Sequence, residues 1–160
     1  MLGGALEDFP TPGWCIRRLL EVWQPYPGWV VEPCAGSGNI IKTVNESLDA
    51  GQCFWLAVEV NPARYQELKT LEGVLPVLGD FLEIEQVPNH KVKTVLTNPP
   101  FTLAQRFIER CRMLYPNAEV VMILRLGFLE SDARVPFYAQ HGVPDVYVLP
   151  NRPSFVGKGT

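Results

Sequence analysis

Residues 29–38 read Trp29-Val30-Val31-Glu32-Pro33-Cys34-Ala35-Gly36-Ser37-Gly38. Three bulky apolar residues in a row make a short strand of the kind buried on both faces. An acid closes the strand, and a glycine loop then opens a helix that ends before Gly51. Glycines permit the tight strand-to-helix turn and let a ligand approach the backbone closely. The loop lacks the GK[ST] ending of a Walker loop and the full GxGxxG spacing of a dinucleotide site. An acid at the strand end suits a ligand that carries an ammonium group. The plainer alternative is an ordinary strand–helix turn.

The pattern repeats outward from this stretch. Upstream, Thr11 and Pro12 read as an N-cap and a first-turn proline. The helix they open carries Ile16, Leu19, Leu20 and Trp23 on one face. Downstream, a second strand runs from Phe54 to Val60, and Asn61-Pro62 starts a helix ending at Gly73. A third strand, Val74 to Leu78, leads into Gly79-Asp80. A polar stretch around Pro88 to Lys93 precedes a fourth strand, Thr94 to Thr97. Asn98-Pro99-Pro100-Phe101 stops that strand, and a helix follows to about Tyr115. A fifth strand (Glu119 to Leu124), a short helix (Ser131 to Gln140) and a sixth strand (Asp145 to Leu149) complete the pattern, with a loop-like tail. Short apolar strands alternating with helices predict an α/β fold: an open, mostly parallel sheet with helices on both faces. Ligands of such sheets sit beyond the carboxyl ends of the strands, near the switch point.

Composition sets outer bounds. The chain has 160 residues, of which 47% are apolar and 19% charged. That is ordinary globular material, and it fits a single domain over residues 1–160 without a separate target-recognition domain. No apolar run reaches the ~20 residues of a membrane span. The start, Met1 to Phe9, has no basic-then-apolar signal pattern, so the expected location is the cytoplasm and no membrane partner is expected. The net charge is −3. A protein gripping nucleic acid by phosphate neutralisation over its whole surface would be basic, so any such partner needs a local patch or another subunit. Cys15, Cys34, Cys53 and Cys111 form no CxxC pair and lack zinc spacing, which predicts free thiols and no metal.

The strand-end loops carry the chemistry. Glu59 ends the strand that follows the glycine loop, where an acid can accept from both hydroxyls of a ribose. Asp80 and Phe81 offer an acceptor and an aromatic face suited to an adenine. Asn98-Pro99-Pro100-Phe101 is the most informative tetrapeptide. Its prolines make a rigid loop with few backbone donors and free carbonyls. Asn98 adds a side-chain acceptor and Phe101 a flat face, a set that fits a planar ring bearing an NH2 group. Arg106 and Arg110, spaced i,i+4, would face phosphates or simply form a solvated helix face. His90 and His141 read as surface residues, and Trp14, Trp23, Trp29 and Trp55 as core.

Together these residues resemble the S-adenosylmethionine-dependent DNA N6-adenine methyltransferases, most of all the small phage-type enzymes. Phe9-Pro10-Thr11-Pro12 looks like the family's N-terminal cofactor motif, and Glu32 to Gly38 like its cofactor glycine loop. Glu59 matches the ribose-binding acid, Asp80-Phe81 the adenine-binding pair, and Asn98 to Phe101 the NPPF catalytic motif. Asn151-Arg152-Pro153-Ser154-Phe155 looks like the family's RPSF segment after the sixth strand.

The resemblance implies a Rossmann-like class I methyltransferase fold. It implies S-adenosyl-L-methionine as cofactor, S-adenosyl-L-homocysteine as product, and adenine-containing DNA as partner. Cofactor contacts would fall to Pro10, Thr11, Pro12, Glu32, Pro33, Cys34, Ala35, Gly36, Gly38, Glu59, Asn61, Asp80, Phe81 and Asn98. The catalytic set would be Asn98, Pro99, Pro100 and Phe101, with Phe101, Arg152 and Phe155 on the substrate. The target base would leave the stack, with Asn98 and the Pro99 carbonyl accepting its amino hydrogens. Family sheets normally end in a seventh, antiparallel strand after the segment near Phe155, and this sequence stops at Thr160. A truncated chain, or a homo-oligomer or second subunit completing the sheet edge, would account for that. NPPF also occurs in methyltransferases acting on RNA and on protein glutamine. Those acceptors, and a non-catalytic cofactor-binding subunit, are the alternatives.

Overall fold

Glycine loops, prolines and caps cut the chain into short apolar strands, and five of them pair into one sheet. The computed structural model describes residues 10–49, 51–85, 91–151 and 153. The strands are β1 (Gly28–Glu32), β2 (Cys53–Glu59), β3 (Val74–Leu78), β4 (Thr94–Thr97) and β5 (Glu119–Met122). The helices are α1 (Gly13–Leu20), α2 (Asn39–Ser47), α3 (Pro62–Leu68), α4 (Ala104–Leu114) and α5 (Val135–His141). The sheet order is β3-β2-β1-β4-β5, and every pairing is parallel. The chain leaves β1 toward β2 and β3, then returns to add β4 on the other side of β1. The switch point therefore lies between the carboxyl ends of β1 and β4.

Successive strand residues point to opposite faces, and the core divides accordingly. One face packs Val30, Trp55, Ala57 and Leu96 against Ile16, Leu19 and Leu20 of α1, Ile40, Ile41 and Val44 of α2, and Leu68 of α3. The other packs Val31, Leu56, Val58 and Val95 against Phe107 and Cys111 of α4. Each fully buried Val or Leu contributes roughly 1.5–3 kcal/mol by leaving water. Pro76 lies in β3, an edge strand, where a missing N–H is tolerated.

Four expectations need correction. The sixth strand, Asp145 to Leu149, does not form; residues 142–149 carry no strand pairing, and Val146 and Val148 are exposed, the latter 75%. Alternating valines make a strand only where a neighbour accepts their backbone, and β5 pairs with β4 alone among the described residues. Thr11 does not cap α1. The cap position falls on Pro12, which has no capping side chain, and the Thr11 hydroxyl is used elsewhere. Of the four tryptophans only Trp55 is fully buried. Trp14, Trp23 and Trp29 are half-buried, and Trp23 Nε1 donates to Glu119 Oε2 at 2.9 Å. His141 is half-buried against Phe137, with ring centroids 4.8 Å apart. His90 lies outside the described residues.

Candidate functional site

Parallel pairing brings the strand-end loops to one edge of the sheet. At the end of β1, Glu32 is 1% exposed, and its Oε2 has no hydrogen-bond partner. Burial, and then the nearby Glu59 carboxylate, push its pKa well up. A buried acceptor without a donor costs about 1–3 kcal/mol, so this oxygen is suited to a ligand cation.

At the end of β2, Glu59 ties two loops together. Its Oε2 accepts from Gly36 N and its Oε1 from Asn61 N, both at 2.7 Å. Ala35 N donates to Val58 O at 2.9 Å, which lays the glycine loop across the end of β2. Gly36 and Gly38 take positive φ, 55° and 77°. A Cβ on Gly38 would lie 2.6 Å from Leu71 Cδ1, the end of a side chain that would have to turn aside, and the positive φ is the firmer reason for glycine there. Asn61 caps α3 through Ala63 N at 2.9 Å, as the sequence predicts.

At the end of β3, Asp80 Oδ1 accepts from Leu82 N at 2.9 Å. Phe81 departs from expectation. It is 1% exposed and stacks on Phe107 of α4, so its ring is core and not an open platform for a base. Arg110 also departs: its guanidinium donates to the backbone carbonyls of Phe81 and Ile84, pinning this loop to α4. Arg106 is exposed.

At the end of β4, Asn98 is held from two sides. Cys34 Sγ lies 2.9 Å from Thr97 Oγ1 and donates to Asn98 O at 3.5 Å. Burial pushes the Cys34 thiol up, so it serves as a neutral packing group. Asn98 Nδ2 donates to Thr11 Oγ1 at 3.1 Å. Asn98 Oδ1 is buried and has no partner. Pro99 is buried, and the Pro100 carbonyl accepts from Leu103 N at 2.9 Å, which closes the turn that carries Phe101. The Arg125 guanidinium lies 4.6 Å over the centre of the Phe101 ring. Arg125 escaped the sequence reading, and its one signal is position just past β5.

Glu32, the loop from Cys34 to Gly38, Glu59, Asn61, Asn98 and Thr11 thus converge at the switch point. Pro33 lies at the start of that loop; Pro10 is exposed and Pro12 half-buried just before α1. Arg152 and Phe155 lie outside the described residues. The four cysteines are free, and no group of His, Cys, Asp and Glu among the described residues has metal-ligand placement. Nor is any described helix long and apolar enough to cross a membrane. A cleft of about 760 Å³ opens at the opposite, amino ends of β4 and β5, between Tyr26, Lys93, Arg112 and Glu119, away from this convergence.

No family model matches the chain, and no curated protein matches it in sequence. Solved structures match it in fold. The 23S rRNA methyltransferase ErmE superimposes with a TM-score of 0.58 at 20% identity, over 76% of this chain and 49% of its own. A methyltransferase assigned to an antibiotic biosynthesis pathway of Anabaena variabilis gives 0.57 at 13% identity, over 86% and 57%. The type I restriction-modification methyltransferase subunit of Streptococcus thermophilus gives 0.57 at 14% identity, over 81% and 37%. The chain therefore spans between 37% and 57% of the length of these three. Its five-stranded parallel sheet and flanking helices are the fold of the Rossmann-like methyltransferases.

Proposed function

We propose that the chain binds S-adenosylmethionine beyond the carboxyl ends of β1 to β3 and transfers its methyl group to the N6 amino group of adenine in DNA. One observation carries the reading. Two buried, unpartnered acceptor oxygens, Glu32 Oε2 and Asn98 Oδ1, end the adjacent strands β1 and β4. The first fits the ammonium of the cofactor's methionine moiety, the second an amino hydrogen of the acceptor.

The residues fit the cofactor elsewhere too. Each Glu59 oxygen accepts one backbone N–H and keeps a lone pair for a ribose hydroxyl. The Gly36 to Gly38 backbone leaves room for close approach. When bound, the cofactor supplies a methyl group on a positively charged sulfur, a good leaving group. Asn98 Oδ1 and the Pro99 carbonyl would accept the two amino hydrogens and turn the nitrogen lone pair toward that methyl. Catalysis by these residues is then positioning for in-line displacement. Phe101 would stack on the flipped base through the ring face that the Arg125 guanidinium does not cover.

The choice of DNA rests on the resemblance carried by Phe9 to Pro12 and Asn151 to Phe155. The neighbours do not choose among acceptors: one is an rRNA methyltransferase and another a restriction-modification subunit. The same proposal puts the protein in the cytoplasm, with a second copy or another subunit completing the sheet beside β5. The test is a panel of DNA, RNA and a glutamine-bearing protein, each incubated with methyl-labelled cofactor. Label in DNA adenine supports the proposal. Label only in RNA or protein moves the acceptor, and cofactor binding without transfer to any of the three marks a non-catalytic subunit.

A further inference from the structure

We propose that Arg125 binds a backbone phosphate of the nucleic-acid acceptor, next to the base that Phe101 receives. Arg125 stands just past β5 and Phe101 just past β4. The pairing of Thr97 with Met122, and a bond of 3.0 Å from Ile123 N to Thr97 O beyond it, hold the two strand ends side by side. The guanidinium of Arg125 lies 4.6 Å over the centre of the Phe101 ring. The Arg125 backbone is fixed as well: its carbonyl accepts from Phe128 N at 2.9 Å and opens the single turn Leu126–Phe128.

This cation differs from its neighbours in what it is left free to bind. Arg110 spends its guanidinium on the Phe81 and Ile84 carbonyls. Arg134, half-buried, donates to Phe128 O at 2.7 Å. Arg125 is exposed, and among the described residues its side chain has neither an ion pair nor a hydrogen bond. An aromatic ring attracts a cation through its quadrupole but carries no net charge. The contact with Phe101 therefore places the guanidinium without neutralising it. Its N–H donors stay available to an anion, and the guanidinium fork matches a phosphate bidentately.

The inference deepens the proposed function and rests on it for the identity of the anion. A base that leaves the stack stays tied through one sugar to its phosphates. A base lying on Phe101 therefore brings a phosphate to within a nucleotide's length of that ring, where the guanidinium stands. The chain carries a net charge of −3, so a polyanion needs a local cation of this kind in order to dock.

The test needs no turnover. Binding of a fluorescein-labelled DNA strand with one central adenine is followed by anisotropy across a salt series. Arg125→Gln should weaken binding about tenfold at low salt, the loss of one charge-assisted contact. It should also reduce the slope of log K against log salt by about 0.7, the share of one phosphate on a single strand. Arg125→Lys, which keeps the charge, should keep the slope. Arg112→Gln, which removes an exposed charge from the cleft at the opposite edge of the sheet, should change neither. Each phosphate flanking the adenine is then replaced in turn by a neutral methylphosphonate. At one of the two, wild-type binding should weaken about tenfold and that of Arg125→Gln by less than about twofold, because the partner is already gone. An unchanged slope in Arg125→Gln, an equal effect from Arg112→Gln, or equal methylphosphonate losses in both proteins would overturn the inference. So would a wild type that binds neither this strand nor its RNA counterpart. If the slope responds while no adenine is methylated, the phosphate contact stands and the proposed reaction fails. If Arg125→Gln methylates DNA normally with an unchanged slope, the reaction stands and the inference fails.

Discussion

The carboxyl edge of the sheet has two halves built in different ways. On the β1–β2–β3 side, Glu59 holds two neighbouring backbone N–H groups at 2.7 Å and the glycine loop crosses directly onto Val58. The contacts join adjacent strand ends, and the half is shaped by its own loops. On the β4–β5 side, the Asn98 side chain is tied to Thr11, 87 positions earlier, and Phe101 is covered by the exposed Arg125. Beyond it, residues 142–149 present Val143, Val146, Tyr147 and Val148 to solvent. Under the proposed function the contrast would be a division of labour, with one half pre-formed for the cofactor and the other, assembled from distant parts, facing the acceptor.

The hardest test of that contrast is Asn98→Ala. Removing one pre-placed polar group at a reacting centre costs about 10²–10³ in rate, so transfer should fall at least a hundredfold. Cofactor affinity by calorimetry should hold within about threefold. A comparable loss of cofactor binding would merge the two halves.

Stability should divide the same way. Leu56, in β2, is fully buried in the core. Leu56→Ala should cost about 2–5 kcal/mol by denaturant titration. Gly38→Ala should cost more than Gly51→Ala. Both glycines sit at positive φ. A Cβ in that conformation is penalised by roughly 1–2 kcal/mol. Only at Gly38 would that Cβ also meet Leu71 at 2.6 Å, whereas at Gly51 it meets open space. Equal losses would mean the glycine loop is not tightly built.

Glu32 gives a pH signature. Its folded pKa is raised, first by burial and then by Glu59. Between the ordinary carboxyl range and that raised value the native state keeps a proton that the unfolded chain has lost. Stability of the ligand-free protein should therefore fall as pH rises through this window, and cofactor affinity should rise, because the carboxylate pairs with an ammonium. Glu32→Gln should flatten the slope in Tm against pH and weaken cofactor binding about tenfold to a hundredfold. An unchanged slope would remove Glu32 from the account. The smallest effect belongs to Val148→Ser, because Val148 is 75% exposed. That change should move stability by less than about 0.5 kcal/mol in the same titration.

Much of this was legible in the sequence where the cause is local. The bounds of β3 and β4, the Asn61 cap and the glycine loop follow from runs of apolar residues and turn chemistry within a few positions. The order of the loops along one edge follows from parallel pairing. What was not legible depends on distant partners. An aromatic after Asp80 looks like a ligand platform until Phe107 takes its face. Arg110 looks like a phosphate contact until its guanidinium meets the Phe81 and Ile84 carbonyls. Thr11 fits a cap rule that Pro12 preempts, and nothing near it in sequence points to Asn98. The alternation at Val146 and Val148 is a strand pattern without a neighbour to pair with.

The central claim is that the β1/β4 switch point directs methyl transfer to an exocyclic amine through Asn98. The most direct measurement is transfer from methyl-labelled S-adenosylmethionine to unmethylated DNA, digested to nucleosides, by the wild-type chain and by Asn98→Ala. The account predicts label in N6-methyldeoxyadenosine for the wild type and at least a hundredfold less for the variant. Label in another nucleoside, or equal label with Asn98→Ala, would contradict it.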